Sequence, residues 1–259
     1  MLRLSQGQLT LLEYCPRRFQ HTILESLSVP ASPALMEGQK WGDRFHLLMQ
    51  QREMGLPIDP VLSHDEELQT CLQKLIAKAP ELFDTRGETF RQSEHERSLT
   101  FNNYWFTVVY DLLRQWDDHA EIIDWKTYLR PRSLPFLQQD WQTRLYLYVL
   151  VESTNYVPSQ VSMTYWFVRA ETPNAQTQDP QKVYIPYSNA IHQQTSQDIE
   201  RLTHQLTQLL ESNKPFPQVP LDSPRCDACP FAIRCQRGEA RSSDSIKLPS
   251  LDEIEEIAI

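Results

Sequence analysis

The sequence predicts an α/β protein with a mixed central sheet flanked by helices, and three observations carry that reading. Strand patterns follow one another near 93–101, 104–111 and 120–127. Helical patterns come both before and after them. Two further strand patterns, SQVSMTYWFVRA and KVYIPYS, lie downstream and are joined by the polar stretch ETPNAQTQDPQ. Helices, then a mixed sheet, then further helices form a layout that one layered core accommodates.

Each element has local grounds. Residues 5–24 read as a helix with Ser5 as its cap and with Leu9, Leu12, Phe19 and Ile23 near helical spacing. A second helix, about 33–54, carries His46. The proline-containing break GLPIDPVLS precedes a third, about 64–79. There Cys71 shares a face with Leu68 and Leu75 and reads as a small apolar core residue. LQQDWQTRLYLYVL reads as an amphipathic helix, residues 189–211 as a long helix with a polar face, and 213–238 as an irregular cysteine segment. From about 240 the chain is Ser-rich and then acidic. The expectation is one domain over 1–239, with 240–259 a flexible or partner-docking tail.

Composition bounds the possibilities. The 259 residues suffice for a substantial core, and 40% hydrophobic with 23% charged residues is an ordinary globular balance. No run of about 18 apolar residues occurs, so no membrane-spanning helix is expected. The segment MLRLSQGQLTLLEY does not read as a secretion signal, which makes a cytoplasmic location the expectation. The net charge of −9 argues against unspecific clinging to nucleic acid. The charge is unevenly spread, however. Arg17 and Arg18 follow Cys15, and Arg130 and Arg132 follow Lys126, so these four arginines are candidate nucleic-acid contacts that could rim an acidic pocket. Among only six glycines, none belongs to a phosphate loop of the GxxxxGK[ST] kind; any ATP-driven motor would be a partner.

The strongest chemical signal lies at 104–148. The strand YWFTVVYD ends on Asp111, and a charged turn leads into EIIDWKT. Two strands so joined bring two carboxylates and an ammonium together. Side chains alternate along a strand, so Asp124 and Lys126 share one face while Trp125 takes the other. Gln142 and Tyr146, four apart on the following helix, also share a face. Phosphodiester hydrolysis needs carboxylates that hold a divalent cation, and a lysine can orient water or stabilise developing charge. An isolated Asp-X-Lys is common on strands. The whole ordered set points to a metal-dependent nuclease centre.

The five cysteines supply the second signal. CDACPFAIRC places Cys226, Cys229 and Cys235 within ten residues, and Cys15 in YCPRRF offers a fourth thiolate from the other end of the chain. Three clustered thiolates suit a metal better than disulfides. Zinc and a [4Fe–4S] cluster both accept four thiolates, and spacing alone leaves the two open. No histidine lies next to the cysteine cluster in sequence.

Taken in order, these motifs resemble the RecB-type branch of the PD-(D/E)XK nuclease superfamily, in particular its iron–sulfur members among CRISPR adaptation nucleases and helicase–nucleases. The resemblance runs from LSQGQLTLLEYCPRRFQ to CDACPFAIRC. It matches Ser5 and Cys15-Pro16-Arg17, then Gly42 and His46 in WGDRFH, then Asp111, Asp124-X-Lys126-Thr127 and Gln142-X-X-X-Tyr146. Two positions depart from the family pattern: Val108 and Tyr128 stand where glycines are usual. The resemblance implies a restriction-endonuclease-like core and a Mg²⁺- or Mn²⁺-dependent DNA nuclease acting on single strands or ends. It implies His46, Asp111 and Asp124 as metal ligands, with the Trp125 carbonyl as a further one. Lys126 would position water, and Gln142 and Tyr146 would orient Lys126 or the phosphate. Glu96 lies near where many relatives carry a Glu. The four cysteines would hold a [4Fe–4S] cluster, which tilts the choice from zinc to iron, and a helicase or other repair or defence protein would be a partner. Two other classes stay in view: a non-cutting DNA- or helicase-binding subunit, and a zinc-clasped structural protein.

Overall fold

The computed structural model describes residues 1–29, 33–171 and 178–237. The acidic tail expected from about 240, and part of the polar stretch near 172, lie outside the described residues.

Six strands form one mixed sheet: β1 (Leu2–Leu4), β2 (Phe90–Phe101), β3 (Tyr104–Gln115), β4 (Ala120–Lys126), β5 (Val161–Phe167) and β6 (Gln181–Pro186). The long strand β3 organises it. One edge of β3 pairs antiparallel with β2 along its length except at Asp111, opposite Glu94. Its other edge is shared, parallel to β1 at Tyr104–Phe106 and antiparallel to β4 at Leu112–Gln115. Strands β4 and β5 run parallel, and β6 closes the sheet antiparallel to β5.

Among the described residues eight α-helices flank it: α1 (Gln6–Tyr14), α2 (Pro16–Phe19), α3 (Pro33–Glu53), α4 (Asp59–Leu62), α5 (Glu66–Lys78), α6 (Leu134–Gln139), α7 (Trp141–Glu152) and α8 (Asn189–Glu211). The alternation of β4 sorts them into two layers. Ile122 belongs to a large cluster built with α1, α7 and α8, whereas Ile123 and Trp125 belong to a smaller one built with α3 and α5. Phe45, Leu48 and Met49 of α3 and Leu68, Cys71 and Leu75 of α5 fill that smaller cluster. The sheet is therefore covered on both faces, as the sequence predicts.

The strand read as ending on Asp111 runs on to Gln115, so Asp111 lies within β3, and three further elements differ from their sequence reading. The expected helix over 5–24 is broken at Cys15, which is extended (φ −162°, ψ 109°) because Pro16 follows it and disfavours helical backbone in the preceding residue. The chain then continues through α2 into a π-helical turn, Gln20–Leu24. The helix expected across 137–150 is broken at Asp140, whose carboxylate accepts the Gln142 N–H and caps α7. Nor is α7 amphipathic: nine of its twelve residues are buried, because α1, α8 and the sheet enclose it. Finally, β1 is three residues long, too short to leave a periodic trace in the sequence.

Candidate active site

Pairing between β3 and β4 stops at Leu112 opposite Ile123. Beyond that point the strands diverge, and the fork leaves Asp111 and Asp124 without cross-strand backbone partners on each other. The Trp125 N–H bridges the gap by donating to Asp111 Oδ2 at 2.7 Å. Helix α3 crosses the fork. It approaches closely because Gly42 has no side chain: a Cβ there would meet Thr127 Oγ1 at 3.0 Å. One turn further on, His46 places Nδ1 3.5 Å from Asp111 Oδ1.

A third group completes this side of the site. Glu94 on β2 joins His46 and Asp111 so that their ligand atoms all lie within 4.8 Å of one another. Its backbone is left-handed (φ 50°), an unfavourable conformation for a residue with a side chain, and such strain gathers at functional sites. Glu96, the glutamate singled out in the sequence, is placed elsewhere: it is exposed and faces Arg3 at 3.7 Å. That expectation is corrected to Glu94. The left-handed residue reverses the alternation of β2, which periodicity could not reveal.

Asp124 and Lys126 lie on the face of β4 away from the Trp125 side chain, buried beside Gln142 of α7. Gln142 holds both: its Oε1 accepts from Lys126 Nζ at 2.9 Å, and its Nε2 donates to Asp124 Oδ1 at 2.7 Å. Asp124 Oδ2 is buried without an aligned hydrogen-bond donor, with the Lys126 ammonium 3.0 Å away. Tyr146 is buried behind Gln142, where its hydroxyl accepts from Gln6 Nε2 at 3.5 Å and its ring meets Tyr110 edge-on. The hydroxyl also hydrogen-bonds the Gln142 side chain and feels the charges of Asp124 and Asp111. The Trp125 side chain packs away from the fork against Phe45.

The electrostatics separate the carboxyls. Burial works to raise Asp111, but the charge and hydrogen bond of His46, the Trp125 N–H and Lys126 outweigh it and hold the carboxyl below its ordinary range. Burial and the Asp111 charge push Glu94 up. Burial, aided by Asp111 and opposed by Lys126, pushes Asp124 up to about 7. Three carboxyls thus crowd around one ammonium and one imidazole. Such a surplus is what a divalent cation relieves.

The other predicted residues fall in two places. Arg130 and Arg132 lie on the segment between β4 and α6, with Arg132 stacked over Phe136, 4.4 Å from guanidinium carbon to ring centroid. Arg17 and Arg18 are engaged with the cysteine segment: Arg17 donates to the Phe216 carbonyl at 2.5 Å, and Arg18 lies over Tyr14. The two departures from the family pattern do not point into the fork, since Val108 is buried in the large cluster and Tyr128 packs edge-on against Phe167.

Cys15, Cys226, Cys229 and Cys235 line a single cavity, and none is in a disulfide. Cys15 reaches it from the break between α1 and α2, and the other three from the segment after α8. The segment is tied down independently of the thiols. Phe216 stacks on Phe19 and its N–H donates to Gln20 Oε1, and Arg225 donates to the Tyr14 carbonyl. Cys71 sits apart, buried with its thiol on the Val168 carbonyl and pushed up to about 12 by desolvation.

The structure thus brings a fork of carboxylates and a buried lysine together at the end of a central strand. The family model of the PD-(D/E)XK nuclease superfamily matches residues 3–236, and the chain belongs to that superfamily. Among solved structures, a presumed exonuclease from Eubacterium rectale is similar over 90% of this chain and 87% of its own, with TM-score 0.51 and 12% identity, a likeness of fold. The structure of SSO0001 aligns over 90% of this chain and 85% of its own at 15% identity, with TM-score 0.39, too low to carry an argument. No curated protein matches the chain in sequence.

Proposed function

We propose that the protein is a DNA nuclease that uses Mg²⁺ or Mn²⁺ to hydrolyse phosphodiesters in single strands or at ends. The observation that carries this reading is the convergence of His46, Glu94, Asp111, Asp124 and Lys126 at the fork of β3 and β4. The residues fit a divalent cation. Three oxygen and nitrogen donors lie within 4.8 Å of one another, and Asp124 keeps a buried oxygen without an aligned donor. His46, Glu94, Asp111 and Asp124 would hold the ion, with the Trp125 carbonyl as a further donor. When bound, the ion supplies Lewis acidity toward the phosphate and makes a bound water easier to deprotonate. Lys126, fixed by Gln142, orients the attacking water and offsets negative charge that develops on the phosphate. Tyr146 keeps the Gln142 helix in register. Arg130 and Arg132 contact the substrate backbone from the segment that follows the motif.

The cysteine cavity fits a [4Fe–4S] cluster through its donor set, four unbridged thiols around one space. Bound there, it would staple α1 and α2 to the carboxy-terminal segment and close a loop of roughly two hundred residues.

The test is cleavage of end-labelled single-stranded and duplex DNA with Mn²⁺, using anaerobically purified protein beside its Lys126→Ala variant. Cutting that is lost in the variant supports the nuclease. A folded protein that binds DNA without cutting under any divalent ion supports the non-cutting subunit instead.

A further inference from the structure

One histidine reaches the carboxy-terminal cysteines although none lies near that cluster in sequence. His21 Nε2 is 3.8 Å from Cys235 Sγ, across 214 positions of chain. The π-helical turn makes the contact. Its wider bond, from the Glu25 N–H to the Gln20 carbonyl, rotates His21 inward beneath the carboxy-terminal segment. There the ring is 4% exposed and packs at 5.1 Å on Phe231, which also lines the cysteine cavity. His21 itself does not line that cavity, so it approaches Cys235 from behind.

The ring is oriented on its far side as well. His21 Nδ1 lies 2.8 Å from Glu25 Oε2. The Glu25 carboxylate thus fixes the ring from the side away from Cys235. Arg234, next to Cys235 in sequence, closes the circuit at 3.5 Å from the same Glu25 oxygen. A carboxylate behind an imidazole is the outer-shell arrangement that fixes the rings around metal sites. None of these contacts serves the fork of β3 and β4.

We infer that His21 is a positioning residue of the cysteine site, donating Nε2–H to the Cys235 sulfur when that sulfur is a cluster ligand. This rests on the cluster reading above. The ring is then held between the Glu25 carboxylate on one side and the Cys235 sulfur on the other. The hydrogen bond holds the Cys235 side chain in its ligating rotamer. It also stabilises negative charge on the sulfur, and hydrogen bonds to ligand sulfurs are one of the controls on cluster potential. The cluster is therefore easier to reduce and harder to strip than its four thiolates alone would make it.

The experiment compares wild type, His21→Leu and Glu25→Gln, all purified anaerobically. Iron and sulfide content, the chelator concentration that removes half the iron, and the midpoint potential followed by EPR are the readouts. The expected result for His21→Leu is a lower midpoint potential and loss of iron at a roughly tenfold or more lower chelator concentration, in keeping with outer-shell losses of about 10–100-fold. Glu25→Gln, which leaves the ring in place, shifts both readouts in the same direction by less. It keeps the test open should His21→Leu not fold. A cluster-loaded His21→Leu or Glu25→Gln protein with wild-type potential and chelator sensitivity overturns the inference. Wild-type protein without iron and sulfide overturns the cluster reading itself, and the inference falls with it.

Discussion

Two clusters of charged side chains lie three residues apart along the same pair of strands, and they are built on opposite plans. At one, Arg91 and Arg114 tie together Glu53, Glu88 and Glu121. Arg91 binds both oxygens of Glu53 at 2.5 and 2.9 Å and Glu88 at 3.1 Å. Arg114 binds Glu88 at 2.6 Å and also takes the Glu81 and Asp84 carbonyls, while Thr164 satisfies Glu121. At the other, Glu94, Asp111 and Asp124 share one ammonium and one imidazole. Each cluster holds three carboxyls. The first is saturated by ten guanidinium donors in fixed forks. The second is left short of positive charge, and its backbone is strained at Glu94. A saturated cluster specifies how the strands and α3 meet; an unsaturated one is ready to take up a cation.

The sharpest way to break this contrast is to exchange the consequences of mutation. Arg114→Ala removes one partner of a buried network and leaves Glu88 with Arg91 alone and Glu121 without a guanidinium, so unfolding by urea should show a loss of about 3–5 kcal/mol. What remains folded should still cut DNA. Lys126→Ala should do the converse, lowering kcat by roughly 10²–10³-fold, as loss of one charge-stabilising group does, with a far smaller change in the urea midpoint.

Metal addition separates the clusters by mass action. Mn²⁺ at about one hundred times its Kd should stabilise the wild type by about 2.7 kcal/mol in thermal unfolding. The gain should grow with pH. Asp124 has its folded pKa raised from 3.8 to about 7, so the metal-free protein holds a proton there that the unfolded chain releases. Stability from that group is present below pH 3.8 and is lost as pH rises through about 7. The ion must displace the same proton, so its binding strengthens through that range. The smallest effect belongs to Gly42→Ala, where the new Cβ meets Thr127 Oγ1 at 3.0 Å. A shift of α3 by a few tenths of an ångström should weaken Mn²⁺ affinity severalfold and leave the saturated cluster intact.

Much of the site was legible because strand alternation is local. The period of two in EIIDWKT puts Asp124 and Lys126 against α7 and Trp125 against α3, as the sequence predicts. Glu94 was illegible for the same reason. Arg91 bonds to Glu53 of α3 while His95 stacks on Tyr110 on the opposite face, although the two are four apart and should share a face. The reversal occurs at Glu94 itself and leaves no mark on the pattern of residue types. Hydrophobic periodicity also failed for α7, whose burial on nearly every side depends on α1 and α8 arriving from distant parts of the chain. The break at Cys15 was legible in principle, since a proline follows it. The contact of His21 with Cys235 was not, because it depends on a π-turn and on the packing of two chain ends.

The most direct test of the unsaturated cluster is Mn²⁺ binding, followed by EPR, to wild type, Asp111→Asn and Glu53→Gln. The account predicts stoichiometric binding to wild type, binding retained in folded Glu53→Gln, and binding lost in Asp111→Asn. Equal Mn²⁺ binding by wild type and Asp111→Asn would contradict it.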